Sequence, residues 1–257
     1  MRVRGLIGKL YRYWQPHVDK AELDFYRDEI QKCQGHALEL ACGSGRLLLP
    51  YLKEGLDVEG VEASPEMIAL LRRKAKAGEI EPSELYCQKL HELTLKKSYA
   101  LIYCALGSFQ LVFDRSDAEE ALKKCYHYLD EGGKLIIALF LPWDEVGSSK
   151  GGWSVVSDQK LMAKDMRKVF REEVKHDPVE QVISVSVRDE LWLKKELLEV
   201  KQRTFTVRWY SKGEFISMLK ESGFSDIQVE RKYHSREANQ ESFMLFTAYK
   251  RSVDLSN

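Results

Sequence analysis

A chain of 257 residues, 44% apolar and 31% charged, is long enough to bury a substantial core, and no stretch approaches the apolar length of a membrane span. Forty basic and forty acidic side chains give a formal net charge of zero, which speaks against a partner held by a strong positive field, such as duplex nucleic acid. The five cysteines are odd in number and lack Cys-x-x-Cys spacing, which argues against a disulfide framework or a cysteine metal site and for a reduced, cytoplasmic setting.

The N-terminal MRVRGLIGKLYRYW is basic, and its apolar run is too short for a secretory signal. AELDFYRDEI, from Ala21 to Ile30, has helical spacing of its apolar residues. HALEL, His36 to Leu40, reads as a short strand, and RLLLPYLKE, Arg46 to Glu54, as a helix. LDVEGVE, Leu56 to Glu62, is a second strand. The next helix, SPEMIALLRRKAKA, opens with Ser64 as N-cap and Pro65 at its first position. SELYCQ, Ser83 to Gln88, predicts a strand, and the wholly apolar YALIYCAL, Tyr99 to Leu106, a strand covered on both faces. A helix over Arg115 to Leu129 and a buried strand over Glu131 to Leu141 follow. Strand–helix alternation of this kind predicts a doubly wound α/β sheet.

From about Pro142 to Tyr210 the pattern changes to strands with hairpin-sized connections, HDPVE and the region near Lys195. In the last run Phe205, Val207 and Trp209 fall on one face, and Thr204, Thr206, Arg208 and Tyr210 on a polar one. SKGEFISMLKESGF restores the α/β pattern, with Ser211 and Glu214 placed for a capping box and Gly223 as the stop. Two final strands, DIQVERKYH and ESFMLFTAYK, end the chain. The organisation is therefore a core of 1–141 and 211–257 interrupted by an antiparallel insertion, 142–210.

The chemistry concentrates in ALELACGSGRLLL, Ala37 to Leu49. A strand-to-helix turn with Gly43 and Gly45 lets a ligand approach the backbone closely, and free N–H groups of the following helix would point at it. Glu62, one helix and one strand later, stands where a carboxylate accepts from both hydroxyls of a ribose. A phosphate loop needs Gly-Lys-Ser/Thr; the chain has Gly45-Arg46-Leu47. A nicotinamide site wants a third glycine where Leu48 stands, and a pyrophosphate sits badly beside Glu39. A carboxylate suits a cofactor with cationic groups, and S-adenosylmethionine has an ammonium, a sulfonium and no phosphate. The plain alternative is a glycine turn that binds nothing.

On these residues the sequence resembles the class I S-adenosylmethionine-dependent methyltransferases. Glu39 to Gly45, ELACGSG, is similar to the family's first motif, with Ala41 in place of its first glycine. VEGVEASPEMI resembles the second-strand motif, which implies Glu62 at the ribose and Ala63 and Met67 at the adenine. LDEGGKLII and YSKGEFISMLKESGFSDI resemble the segments around the fifth and sixth strands. The resemblance implies a Rossmann-like seven-stranded sheet, mostly parallel with an antiparallel last strand, carrying an inserted antiparallel β lid. It implies S-adenosylmethionine as cofactor, Arg46 and Ala105 near it, and Gln88, Leu90 and His91 at the adenine, where many relatives have an Asp. Tyr13, in the aromatic YRYW, is placed to fold over a cationic cofactor.

Methyl transfer by in-line displacement needs positioning and exclusion of water, and a general base only if the nucleophile arrives protonated. No triad is present. His91, Tyr210 and His234 are the base or orienting candidates, each with a packed or solvated role as the alternative. The loop after the fourth strand, CALGSFQLV, lacks Asn/Asp-Pro-Pro-Tyr/Phe and a Pro-Cys nucleophile. With zero net charge this favours a small-molecule N or O acceptor over an RNA or protein substrate, or a non-catalytic binding module. The insertion is expected to act as a lid, with a homodimerisation sheet as its competing role.

Overall fold

The computed structural model describes residues 20–81, 84–140, 152–161, 165–230 and 243–251. Tyr13 with its YRYW segment, and His234, lie outside them. The chain divides into two compact units, one built on a seven-stranded sheet and the other on a four-stranded sheet.

In the first unit, helix α1 (Lys20–Lys32) precedes β1 (Ala37–Leu40), α2 (Leu48–Lys53) and β2 (Val58–Glu62). Helix α3 (Pro65–Ala77), β3 (Leu85–Cys87), β4 (Tyr99–Cys104), α4 (Arg115–Tyr128) and β5 (Leu129–Phe140) follow. After the other unit come α5 (Lys212–Glu221), β10 (Ser225–Glu230) and β11 (Phe243–Tyr249). The sheet order is β10-β11-β5-β4-β1-β2-β3. Strands β1 to β5 pair in parallel, and β11 runs antiparallel to both β5 and β10. This is the seven-stranded, doubly wound arrangement expected, with its antiparallel last strand.

Burial explains the continuous apolar strands. One face of the sheet packs Tyr26 and Ile30 of α1, Leu48 and Tyr51 of α2 and Leu71 of α3 against Leu101 and Tyr103. The other face packs Leu122 and Cys125 of α4 and Phe215 and Met218 of α5 against Leu38, Ile102 and Ile137. Strands covered on both sides need no polar alternation. The caps form as the sequence predicts. Ser64 accepts from the Met67 N–H and Ser211 with Glu214 completes a capping box; Asp114, which the sequence reading did not name, caps α4.

Two boundaries differ from expectation. Helix α2 begins at Leu48 rather than near Arg46, because residues 43 to 45 turn through positive φ at Gly43 and Gly45. The Tyr210 ring is fully buried between Phe109 and Phe215 and belongs with the seven-stranded unit, so it does not share the polar face of Arg208. An aromatic ring at the end of an alternating run follows the nearest apolar surface once the strand has ended.

The four-stranded unit is an antiparallel meander, β6 (Ser154–Lys160), β7 (Met166–Asp177), β8 (Val182–Leu193) and β9 (Glu196–Arg208), in that order. One face carries Phe170, Ile183, Val185, Val187 and Val207, all buried. The other carries Ser184 and Ser186, each hydrogen-bonded across to Thr206 and Thr204 of β9. Glu190 is buried on this polar face among Arg171, Arg188 and the Trp192 indole. Strand β6 escapes sequence reading because SVVSDQK presents no apolar stripe and is largely exposed. Among the described residues no helix is long and apolar enough to cross a membrane.

Candidate cofactor site

Because β3, β2, β1 and β4 are adjacent and parallel, the segments that follow them emerge on one edge of the sheet. That edge collects Ala41–Gly45, Ala63–Met67, Gln88–His91 and the turn from Ala105.

The glycine turn is closed by its own hydrogen bonds. The Cys42 N–H donates to Val61 O at 2.9 Å and the Gly45 N–H to Cys42 O at 3.0 Å. The Gly43 N–H donates to Glu62 Oε2 at 3.0 Å, while Glu62 Oε1 accepts from the Ser64 N–H at 2.9 Å. Three of the turn's donors, on Cys42, Gly43 and Gly45, are thus engaged within the protein, which leaves fewer N–H groups for a phosphate. A Cβ on Gly45 would come within 2.6 Å of Leu49, whereas one on Gly43 would meet nothing within 4 Å. Gly45 therefore serves close packing, and Gly43 faces open space. Ala41 adopts φ 52°, a left-handed conformation that glycine takes without strain. Glu62 ties the end of β2 to both the turn and the start of α3, and each of its oxygens keeps a lone pair for a ligand hydroxyl.

Beside the turn lies a buried polar cluster. Glu39, on β1, is only 4% exposed. Its Oε2 accepts from the Tyr103 hydroxyl on β4 at 3.1 Å. Burial pushes the Glu39 pKa up to about 8; Arg46 and Tyr103 draw it back, while the charges of Glu22 and Glu62 add to the rise. The Arg46 guanidinium grips Glu22 of α1 with both terminal nitrogens, Nη1 at 2.6 Å and Nη2 at 3.0 Å. Burial opposes that guanidinium's charge, but Glu22 more than offsets it and the Arg46 pKa is raised. One turn beyond Glu22, Tyr26 stacks on Tyr103 with ring centroids 4.7 Å apart. Glu22, Tyr26 and Tyr103 were missed by sequence reading. The signal was present in α1, where Glu22 and Tyr26 share a face at i, i+4.

Glu59, on β2, provides a contrast. It is also buried, but the Tyr99 hydroxyl donates to it at 2.5 Å and Lys97 Nζ sits 2.8 Å away. Glu59 has a hydroxyl and an ammonium as partners, whereas the surroundings of Glu39 disfavour its ionised form.

The remaining candidates are placed as follows. The Gln88 amide closes its own loop, donating to Thr94 O at 3.1 Å and accepting from the Thr94 N–H at 2.8 Å. Leu90 is buried in a one-turn 3₁₀ helix. His91 lies between two carboxylates, Nε2 3.4 Å from Glu92 and Nδ1 3.5 Å from Asp117. Ala63 and Met67 are exposed at the start of α3, and Ala105 is buried at the end of β4. Tyr210 is a core aromatic. The buried thiols of Cys42, Cys104 and Cys125 all have pKa values raised by burial, which makes them poor nucleophiles. No group of three or more metal-ligating side chains occurs among the described residues.

Comparison with known proteins bears on the fold. Residues 37–133 match the family model described as a methyltransferase domain. The chain is 33% identical over 116 residues to the demethylmenaquinone methyltransferase of Thermus thermophilus, covering 44% of this chain and 50% of that protein. It spans about half the length of the first curated relatives it matches. A solved S-adenosylmethionine-dependent methyltransferase from Clostridium acetobutylicum superposes with TM-score 0.72 at 19% identity, over 95% of this chain and 96% of that one. The sugar N-methyltransferase KedS8 from Streptoalloteichus superposes with TM-score 0.71 at 17% identity, over 97% of this chain and 94% of that one. Residues 37–133 are thus similar in sequence to a methyltransferase domain, and the chain shares its fold with a solved S-adenosylmethionine-dependent methyltransferase.

Proposed function

We propose that the protein is an S-adenosylmethionine-dependent methyltransferase acting on a small-molecule N or O acceptor. The observation that carries this reading is Glu39. A buried carboxyl whose charge its surroundings disfavour, beside a turn whose Cys42, Gly43 and Gly45 donors are already engaged, gives a phosphate little to bind and gains a counter-charge from an ammonium. With Glu62 at the next strand end, the donor set fits a nucleoside with a cationic tail. When bound, the cofactor supplies an electrophilic methyl group for in-line displacement. In this reading Glu39 holds the ammonium, Glu62 receives the ribose hydroxyls, and Ala63 and Met67 border the adenine. His91 is the remaining base candidate among the described residues; with two carboxylates within 3.5 Å, it is held where they can orient it.

Fold similarity to a sugar N-methyltransferase and to the glycopeptide N-methyltransferase MtfA makes amino sugars and aminated glycosides the first acceptors to try. With tritiated cofactor, label should pass to members of an amino-sugar and glycoside panel. Transfer confined to total RNA or to lysate protein would overturn the small-molecule reading.

A further inference from the structure

Helix α1 grips the surroundings of Glu39 from two directions. Its Glu22 binds Arg46, and its Tyr26, one turn on, stacks on Tyr103, the donor to Glu39. Glu22 is 2% exposed, which is costly for a carboxylate unless it is paired. Its bidentate pairing with Arg46 is the strong, planar form of that interaction. The same guanidinium acts on Glu39, whose charge it favours. Two buried carboxylates therefore compete for one cation, and Glu22 holds both terminal nitrogens.

We propose that Glu22 is a positioning residue for the cofactor site: by engaging Arg46 on both terminal nitrogens, it keeps that guanidinium from neutralising Glu39 and leaves the buried carboxylate for a ligand's cation. This role rests on the reading of Glu39 as the ammonium partner. Without Glu22, Arg46 turns to the remaining carboxylate. Glu39 then ionises at lower pH, and an incoming ammonium meets a pair already neutralised. Among the described residues, the charged and titratable groups around Glu39 are Arg46 and Cys42 in the turn, Glu22 on α1, Tyr51 on α2, Glu62 on β2, and Tyr103 and Cys104 on β4. Of these, Glu22 and Arg46 are the pair whose balance a single substitution reverses.

The test is calorimetric titration with S-adenosylhomocysteine, which carries the same ammonium, between about pH 6 and 9. The ligand's own ionisation is common to all variants, so differences between profiles belong to the protein. Wild type should bind more tightly as pH rises, levelling off above the pH at which Glu39 ionises. Glu22→Gln should bind about tenfold or more weakly at the plateau, with the inflection moved to lower pH. Glu22→Asp should keep the wild-type inflection. The double variant Glu22→Gln/Arg46→Met should bind more tightly than Glu22→Gln once Glu39 is ionised, with its inflection above that of wild type, since Arg46 no longer favours the Glu39 charge. A Glu22→Gln profile superimposable on wild type would overturn the proposal. So would a loss of affinity with an unmoved inflection, or a double variant as weak as the single, since either marks α1 as mere scaffold. Wild type failing to bind the ligand would overturn the reading of the site itself, and this role with it.

Discussion

Glu62 is the residue on which the geometry converges. It joins β2, the glycine turn and the N-terminus of α3 through two backbone donors. Glu62→Ala is therefore expected to do two things. It should weaken cofactor binding by roughly 1–3 kcal/mol and destabilise the fold by a similar amount, because two N–H groups lose a charged acceptor. Calorimetry and urea unfolding on the same preparation check both. Unchanged affinity with lowered stability would confine Glu62 to holding the turn. Sequence alone named Glu39 and Glu62 from their spacing but not Glu22, Tyr26 or Tyr103. The i, i+4 spacing of Glu22 and Tyr26 marks a helix face, but contacts spanning 24 residues for Arg46–Glu22 and 64 for Tyr103–Glu39 do not show locally what that face meets.

At the scale of elements, the glycine turn shows what a motif departure costs. Ala41 sits at φ 52° where the family has glycine. Ala41→Gly should relieve that strain and stabilise the protein by about 0.5–1 kcal/mol, part of the gain being lost to the freer unfolded chain. A thermal melt that falls on this substitution would show that the methyl group contributes contacts worth more than the strain. Periodicity and caps made most elements legible in the sequence: Ser64 and Ser211 both start helices as the capping residues they were read to be. What failed was local override. Positive φ at Gly43 and Gly45 delays α2, β6 has no apolar stripe to betray it, and Tyr210 follows the Phe109–Phe215 surface rather than the strand alternation before it.

For the whole molecule, the buried acid links stability to pH. The Glu39 carboxyl titrates near 8 in the fold against an ordinary value of 4.5. Between those values the unfolded chain has released a proton that the folded chain keeps, so stability falls as pH rises, by at most about 1.4 kcal/mol per pH unit from this group. Glu39→Gln should flatten that decline, measured by denaturant unfolding across the range. Bound cofactor should offset it, because its ammonium stabilises the ionised form. A decline equally steep in Glu39→Gln would assign it to other groups.

The central claim is that this site takes a nucleoside with a cationic tail and no phosphate. Isothermal titration of the wild-type chain with S-adenosylmethionine, beside reduced nicotinamide dinucleotide at the same concentration, tests it most directly. The account predicts saturable one-to-one binding of the first at micromolar protein and none of the second. Binding of the dinucleotide, or of neither, would contradict it.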